Sequence, residues 1–248
     1  MTGLLDLGNS RMKWAELVDG EPDQIERVAY ANEGRVRWLA DWLRGKASRR
    51  RVLIGSVLGR EFEQQLCAEL SGQADPVLEF VRPTDGVMGI SLGYLDPARL
   101  GVDRFLGLVA AKATWNGAPL VVVDCGSAIT IDALTARGEH LGGLIAPGLR
   151  AMRRGLEAVA PRLGGLAETD ECPLFAVNTE SAVHSGIMRV VATAIDGITG
   201  QMAAALGERV VRVLSGGDAP RLEALLKSRY HTEPDLVLKG LALLAQEP

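Results

Sequence analysis

The chain has 248 residues, 47% hydrophobic and 23% charged, with a formal net charge of −4, the profile of a folded globular protein with one large core or two medium ones. The acidic balance argues against nucleic acid as a partner, and no apolar run resembles a membrane span or secretion signal, so a cytoplasmic location is expected. Three cysteines (Cys67, Cys125, Cys172) and three histidines (His140, His184, His231) are too scattered for a disulfide framework or a zinc site; each reads as a buried small residue or a surface imidazole.

From Gly3 to Leu17 the pattern is strand, turn, strand, closed by Asp19-Gly20 and Glu21-Pro22. Gly8 lets backbone amides approach an anion, with Asp6 at the turn and Lys13 on the returning strand. The two can reach one phosphate from both sides, the carboxylate through Mg²⁺ or its waters and the lysine as a point charge. A plain hairpin, with a turn-capping Asp and a solvated Lys, has the same pattern. Glu33 to Lys46 is an amphipathic helix whose Trp38, Leu39, Trp42 and Leu43 read as core. Arg49-Arg50-Arg51 is a solvated turn into a strand at 51–57, followed by a helix at 60–71 and a strand at 76–81. Such alternation places these pieces in an α/β layer with partly parallel strands.

Residues 86–100, broken by Gly86, Gly89, Gly93 and Pro97, form a surface loop in which Tyr94 lines a pocket or anchors the loop. Leu100-Gly101-Val102-Asp103-Arg104 then opens an Ala-rich helix. Asp103 is there either an N-cap or a carboxylate base, next to the anion-binding guanidinium of Arg104.

Residues 121–132 repeat the first hairpin's design. Gly126 permits close approach of an anion, Ser127 and Thr130 offer hydroxyls, and Asp124 can hold a cation or cap the turn. Two such hairpins suggest a duplicated phosphate clamp. A strand at 140–145 leads through Pro147-Gly148 to a helix at 149–159, whose first amides can point toward the clamp. Residues 161–173, rich in Gly and acids, are expected to be mobile. Asn178-Thr179-Glu180 opens a helix reaching Leu206, in which Ser185-Gly186 permits a close crossing. A strand at 210–214 runs into Ser215-Gly216-Gly217-Asp218, a turn on which a base or ribose can lie. A helix at 220–227 and a last apolar helix after Asp235 complete the chain.

In this order, the motifs Asp6-Leu7-Gly8-Asn9-Ser10 with Lys13, Gly93-Tyr94 with Pro97 and Leu100 to Arg104, Asp124 to Thr130, Gly142-Gly143 with Pro147-Gly148, Asn178-Thr179-Glu180, and Ser215 to Asp218 resemble the type III pantothenate kinase family over essentially the whole chain. That family is part of the acetate and sugar kinase, heat-shock ATPase and actin superfamily. The resemblance implies an α/β fold of two similar ribonuclease-H-like, actin-like ATPase lobes, residues 1–117 and 118–248, with mixed sheets flanked by helices and an ATP cleft between them. It implies transfer of the ATP γ-phosphoryl group to the primary hydroxyl of pantothenate, the first step of coenzyme A synthesis, with Asp103 as general base. ATP would be bound by Asp6, Leu7, Gly8, Asn9, Ser10, Arg11, Met12, Lys13, Gly126, Ser127, Gly216 and Gly217. Pantothenate would be bound by Tyr94, Gly101, Val102, Asp103, Arg104 and Thr179, with Arg104 at its carboxylate.

The family pattern further implies Mg²⁺ or another divalent cation held through water by Asp6, and K⁺ or NH₄⁺ at Asp124. It also implies a homodimer in which Thr179 reaches the partner's substrate. Ser10 and Ser127 stand where the family commonly has threonine, which keeps the hydroxyl. Two other readings are a superfamily kinase for a different acceptor and a non-catalytic nucleotide-binding regulator. The Tyr94 to Arg104 segment counts against the first; Lys13 and Asp103 count against the second.

Overall fold

The computed structural model describes residues 2–9, 11–30, 34–47, 50–163, 165, 169, 171–207 and 209–247. Ser10, expected to bind ATP, lies outside them, as do the expected helix start at Glu33, Arg49 of the basic turn, and residues 164, 166–168 and 170 of the segment expected to be mobile. Contacts divide the chain into one unit of Met1–Thr114 with Asp235–Pro248 and another of Trp115–Pro234.

The first unit contains strands β1 (Thr2–Leu7), β2 (Arg11–Val18) and β3 (Glu21–Ala29), helix α1 (Arg35–Ala47), β4 (Arg51–Ser56), α2 (Arg60–Glu69), β5 (Val77–Phe80), a two-residue β6 (Ser91–Leu92) and α3 (Val102–Thr114). Its sheet has the order β3-β2-β1-β4-β5. The β1–β2 and β2–β3 pairs are antiparallel, and β1–β4 and β4–β5 are parallel. Successive side chains of a strand point to opposite faces. Leu5, Leu7, Met12 and Trp14 accordingly share one core with Leu39, Leu43 and Leu66 of the helices, and Trp14 meets Trp42 edge-on at 5.5 Å between ring centroids. Each such side chain, fully buried, contributes about 1.5–3 kcal/mol. The pleat leaves Leu4, Asp6, Lys13 and Ala15 on the opposite face.

The second unit contains β7 (Leu120–Cys125), β8 (Ala128–Leu134), β9 (Glu139–Pro147), α4 (Leu149–Val159), α5 (Thr179–Leu206), β10 (Val211–Ser215), α6 (Ala219–Glu223) and β11 (His231–Thr232). Its own strands run β9-β8-β7-β10-β11. The β7–β8 and β8–β9 pairs are antiparallel, and β7–β10 and β10–β11 are parallel. In chain order each unit therefore reads third, second, first, fourth, fifth with the same strand directions. The duplication suggested by the two hairpins extends to whole sheets. Helix α5 buries Ser181, Ser185, Met188, Val191, Ala192, Ile195 and Thr199, a set spaced mainly by three and four residues that keeps one helical stripe inward.

Helix α7 (Leu236–Ala245) follows the second unit in sequence but packs in the first, against α3, β1 and β3. Gly240 makes this possible: a Cβ there would collide with the backbone of Leu106 in α3. Several expectations need correction. Residues 21–29 form a strand where only a closing turn was read, and the helix expected at 220–227 ends at Glu223. Gly186 is exposed and, among the described residues, nothing lies within 4 Å of the position of a Cβ, so no close crossing is made there by them. Arg50 and Arg51 pair with Glu16 and Glu79 rather than lying in a purely solvated turn.

Candidate active site

The β1–β2 hairpin sets out the first group. Asp6 and Lys13 are direct cross-strand partners, so the pleat puts both side chains on one face, as a two-sided approach to a phosphate requires. Asp6 lies within β1 rather than at the turn itself. The turn is closed by the amide of Gly8 donating to the carbonyl of Arg11 at 3.0 Å. Leu7 and Met12 are core residues, while Asn9 and Arg11 are exposed. Two residues overlooked in the sequence hold this turn from outside. The Tyr30 hydroxyl donates to the Gly8 carbonyl, and Arg35 donates to the Asn9 carbonyl at 3.1 Å with its guanidinium 4.6 Å from the Tyr30 ring centre. Burial, opposed by Arg35 and reinforced by the charge of Asp6, pushes the Tyr30 phenol up to about 12, so it remains a donor at neutral pH.

The second group stands at the start of α3. Gly101 gives its carbonyl to the Phe105 amide at 3.0 Å, and the Asp103 carboxylate accepts from the Arg104 amide at 2.8 Å. Asp103 thus sits in the first helical turn with an oxygen on a backbone N–H, a setting that favours negative charge. The absence of a side chain at Gly101 leaves the carboxylate room in this position, because a Cβ would lie 2.5 Å from Asp103 Oδ1. Val102 and Arg104 are buried; the Arg104 guanidinium donates to the Tyr94 hydroxyl and lies over the Tyr94 ring. Tyr94 is thereby tied to Arg104, a contact that anchors its loop on α3. Leu106, one turn beyond Asp103, packs over Gly55 of β4, the neighbour of Asp6 in the parallel register. The first turn of α3 is in this way tied to the Asp6 end of the sheet.

The third group belongs to the second unit. Asp124 pairs with Thr130 of β8 and Ser215 of β10, and Gly126 and Ser127 form the hairpin tip. The Gly126 amide donates to the Ala128 carbonyl and the Gly148 amide to the Ser127 carbonyl. Gly216 has φ of +97°, and a Cβ there would strike both Asp124 Oδ1 and the Cys125 carbonyl oxygen. The Asp218 amide donates to that same carbonyl at 2.9 Å. Cys125 is the apolar filler expected, fully buried in the core with Val121 and Val123. Burial, with the charges of Asp124 and Asp218 adding to it, pushes its thiol up to about 12. Gly217 is exposed, and Thr179 is exposed at the first position of α5, where the Asn178 side chain caps the Ser181 amide at 2.8 Å.

Other titratable groups depart from the sequence reading. His140 is not a surface imidazole; it is buried with Nε2 2.9 Å from Asp132 Oδ1. Cys67 is exposed. Among the described residues no group of three or more His, Cys, Asp or Glu could hold a metal ion. A divalent cation would therefore rely on phosphate oxygens, water and the Asp6 carboxylate, a donor set that suits Mg²⁺. Asp124 Oδ1 and the Cys125 carbonyl oxygen both lie against Gly216, oxygen donors of the kind a hard cation takes.

A sequence profile of the type III pantothenate kinase family matches residues 4–201. The chain belongs to the type III pantothenate kinase family. A type III pantothenate kinase of Nitrosococcus oceani is 36% identical over 98% of this chain and 93% of its own, and one of Alkalilimnicola ehrlichii is 37% identical over 98% and 97%. In fold, the chain is similar to a structure described as a 2-dehydro-3-deoxygalactonokinase of Sinorhizobium meliloti, with a TM-score of 0.63 at 12% identity over 99% of this chain and 97% of that one. The type III pantothenate kinase fold seen here is the expected α/β pair of lobes with mixed sheets flanked by helices. Among the described residues, no helix is long and apolar enough to cross a membrane.

Proposed function

We propose that this chain transfers the γ-phosphoryl group of ATP to the primary hydroxyl of pantothenate in the cytoplasm. The observation that carries the reading is the start of α3, where Gly101, Asp103 and Arg104 stand as a positioned carboxylate and guanidinium in a chain with family identity along its length. Asp103 takes the hydroxyl proton as the oxygen attacks phosphorus, acting as general base. Arg104, steadied by Tyr94, binds the carboxylate of pantothenate; Gly101 and Val102 shape the backbone around it. Lys13 neutralises phosphate charge and the Ser127 hydroxyl donates to a phosphate oxygen, the Asp6-to-Lys13 hairpin and Gly126 shape the turns around them, and Gly216 with Gly217 accommodates the nucleoside.

Asp6 would hold a divalent cation through water, and Asp124 with the Cys125 carbonyl would hold K⁺ or NH₄⁺. When bound, these ions supply electrostatic stabilisation to the phosphoryl oxygens. The working form is a homodimer in which Thr179 contributes to the partner's substrate site. Supporting this, Leu174, Phe175 and Val177, just before Thr179, are 67%, 85% and 97% exposed, a patch that association would cover.

The test is formation of phosphopantothenate by the purified protein with ATP, Mg²⁺ and K⁺, beside Asp103→Asn. The expected result is ATP-dependent product and a loss of roughly 10²–10⁴-fold in kcat for the variant. Binding of ATP without phosphorylation of pantothenate would overturn the assignment of the acceptor.

A further inference from the structure

We propose that Asp235 is a positioning residue for Lys13, with Arg27 as the counter-cation that leaves the lysine's charge available to phosphate; this rests on the kinase reading above. Asp235 opens α7 in the left-handed conformation, with φ of +62°. Its carbonyl accepts the Lys239 amide at 3.1 Å, as the residue before a helix should, yet its carboxylate makes no side-chain cap. An aspartate at this position ordinarily turns its carboxylate back onto the helix amides. Here the carboxylate meets Lys13 Nζ at 3.2 Å and the Arg27 guanidinium.

Burial grades across the three groups. The side chain of Asp235 is 8% exposed, that of Lys13 24% and that of Arg27 54%. A carboxylate this deep needs a cation, and two are supplied. Arg27 offsets the charge of Asp235, so the anchor does not by itself cancel the lysine, which faces Asp6 across the strand pair. Lysine's ammonium is a three-donor point charge on a flexible stem. Fixing one of its donors on Asp235 removes most of that freedom while leaving its other donors to a phosphate. Lys13 is also the cross-strand partner of Asp6, so the anchored ammonium is kept on the Asp6 face of the sheet. The C-terminal helix, docked on that face, thereby carries a group that orders the clamp.

The test is a double-mutant cycle with Lys13→Ala, Asp235→Asn and the double variant, reading affinity for a non-hydrolysable ATP analogue and kcat/KM for ATP. Asp235→Asn keeps the shape and removes the charge. Each single change is expected to weaken analogue binding about 10-fold, and the double variant to be no worse than Lys13→Ala alone, a coupling of about 10-fold. KM for pantothenate should stay put. Equal loss from Asp235→Asn with and without Lys13 would overturn the proposal, because Asp235 would then act only by docking α7. If Asp235→Asn does not fold, the cycle is run with Arg27→Gln on the exposed partner, expected to cost about 3-fold when Lys13 is present and nothing when it is absent; equal costs would overturn the proposal equally. An unaltered protein that binds the analogue but leaves pantothenate unphosphorylated would defeat the acceptor assignment while the cycle still decides the pairing. No analogue binding at all would remove both.

Discussion

Gly101→Ala separates where the Asp103 carboxylate sits from whether it is charged. An alanine Cβ would lie 2.5 Å from Asp103 Oδ1, 3.7 Å from its Cγ and 3.6 Å from Arg104 Cδ. Nonbonded contacts settle near 3.5 Å, so the carboxylate must retreat by roughly 0.5–1 Å. Gly101 is not in the left-handed region, and the obstructing atom is the end of a side chain, so the backbone has no reason to move. The retreat strains or breaks the 2.8 Å bond from the Arg104 amide, at about 1–2 kcal/mol. Lower entropy of the unfolded chain offsets about 0.4–1 kcal/mol of that. The melting temperature should fall by no more than about 6 °C for a chain of this size. Misplacing a reacting group by about 1 Å can cost 10²-fold, so kcat should fall roughly 10–100-fold with KM for ATP within about 2-fold of the parent. Steady-state ADP release, thermal melts and the Asp103→Asn variant run in parallel provide the readout. A variant that folds and keeps its kcat would refute the claim that this contact places the base.

Three other perturbations have defined outcomes. Gly216→Ala forces a side chain into the Asp124 and Cys125 oxygens at positive φ and should cost about 2–4 kcal/mol; melting and a KCl titration of activity should show lower stability and lost potassium response, and an unchanged melting temperature would refute it. Tyr30→Phe removes the hydroxyl on the Gly8 carbonyl, worth about 1 kcal/mol, so KM for ATP should rise about 3–10-fold with KM for pantothenate unchanged. On the alkaline side, burial holds Cys125, Tyr30 and Tyr230 protonated in the folded state up to about pH 12. The unfolded chain releases these protons from about pH 8.5 for the thiol and about pH 10 for the phenols. Folding stability should therefore fall steadily between about pH 9 and 12, read from urea midpoints; a midpoint independent of pH across that window would contradict the burial.

The two hairpins were legible because apolar runs, leucine-rich at Leu4-Leu5 and β-branched at Val121-Val122-Val123, flank a short polar turn, a local signal on adjacent segments. The Asp6–Lys13 juxtaposition followed, since their register is set by a turn only a few residues long. Strand β3 was missed because its side chains are mostly half-exposed or exposed and Pro22 sits near its start; it is an edge strand, where the apolar alternation is weakest. Strand β11 has two residues, too few for any period. Tyr30, Arg35 and Asp235 carried no motif, because what they do depends on contacts made across long separations: Tyr30 is 22 residues from Gly8, and Asp235 is 208 residues from Arg27. The His140–Asp132 pair lies only 8 residues apart, but recognising it needs the β8–β9 register, which sequence pattern leaves open.

The docking of α7 on the first unit has a consequence for synthesis. When Thr114 leaves the ribosome, the face of the first sheet that α7 covers is still bare, and the helix that closes it lies about 130 residues further on. At about 5–20 residues per second the gap is on the order of 10 s, during which Leu106 and its apolar neighbours on α3 await their partner. The amino-terminal unit is thus begun first and finished last, and trimming the carboxyl-terminal helix would damage the half of the molecule made earliest.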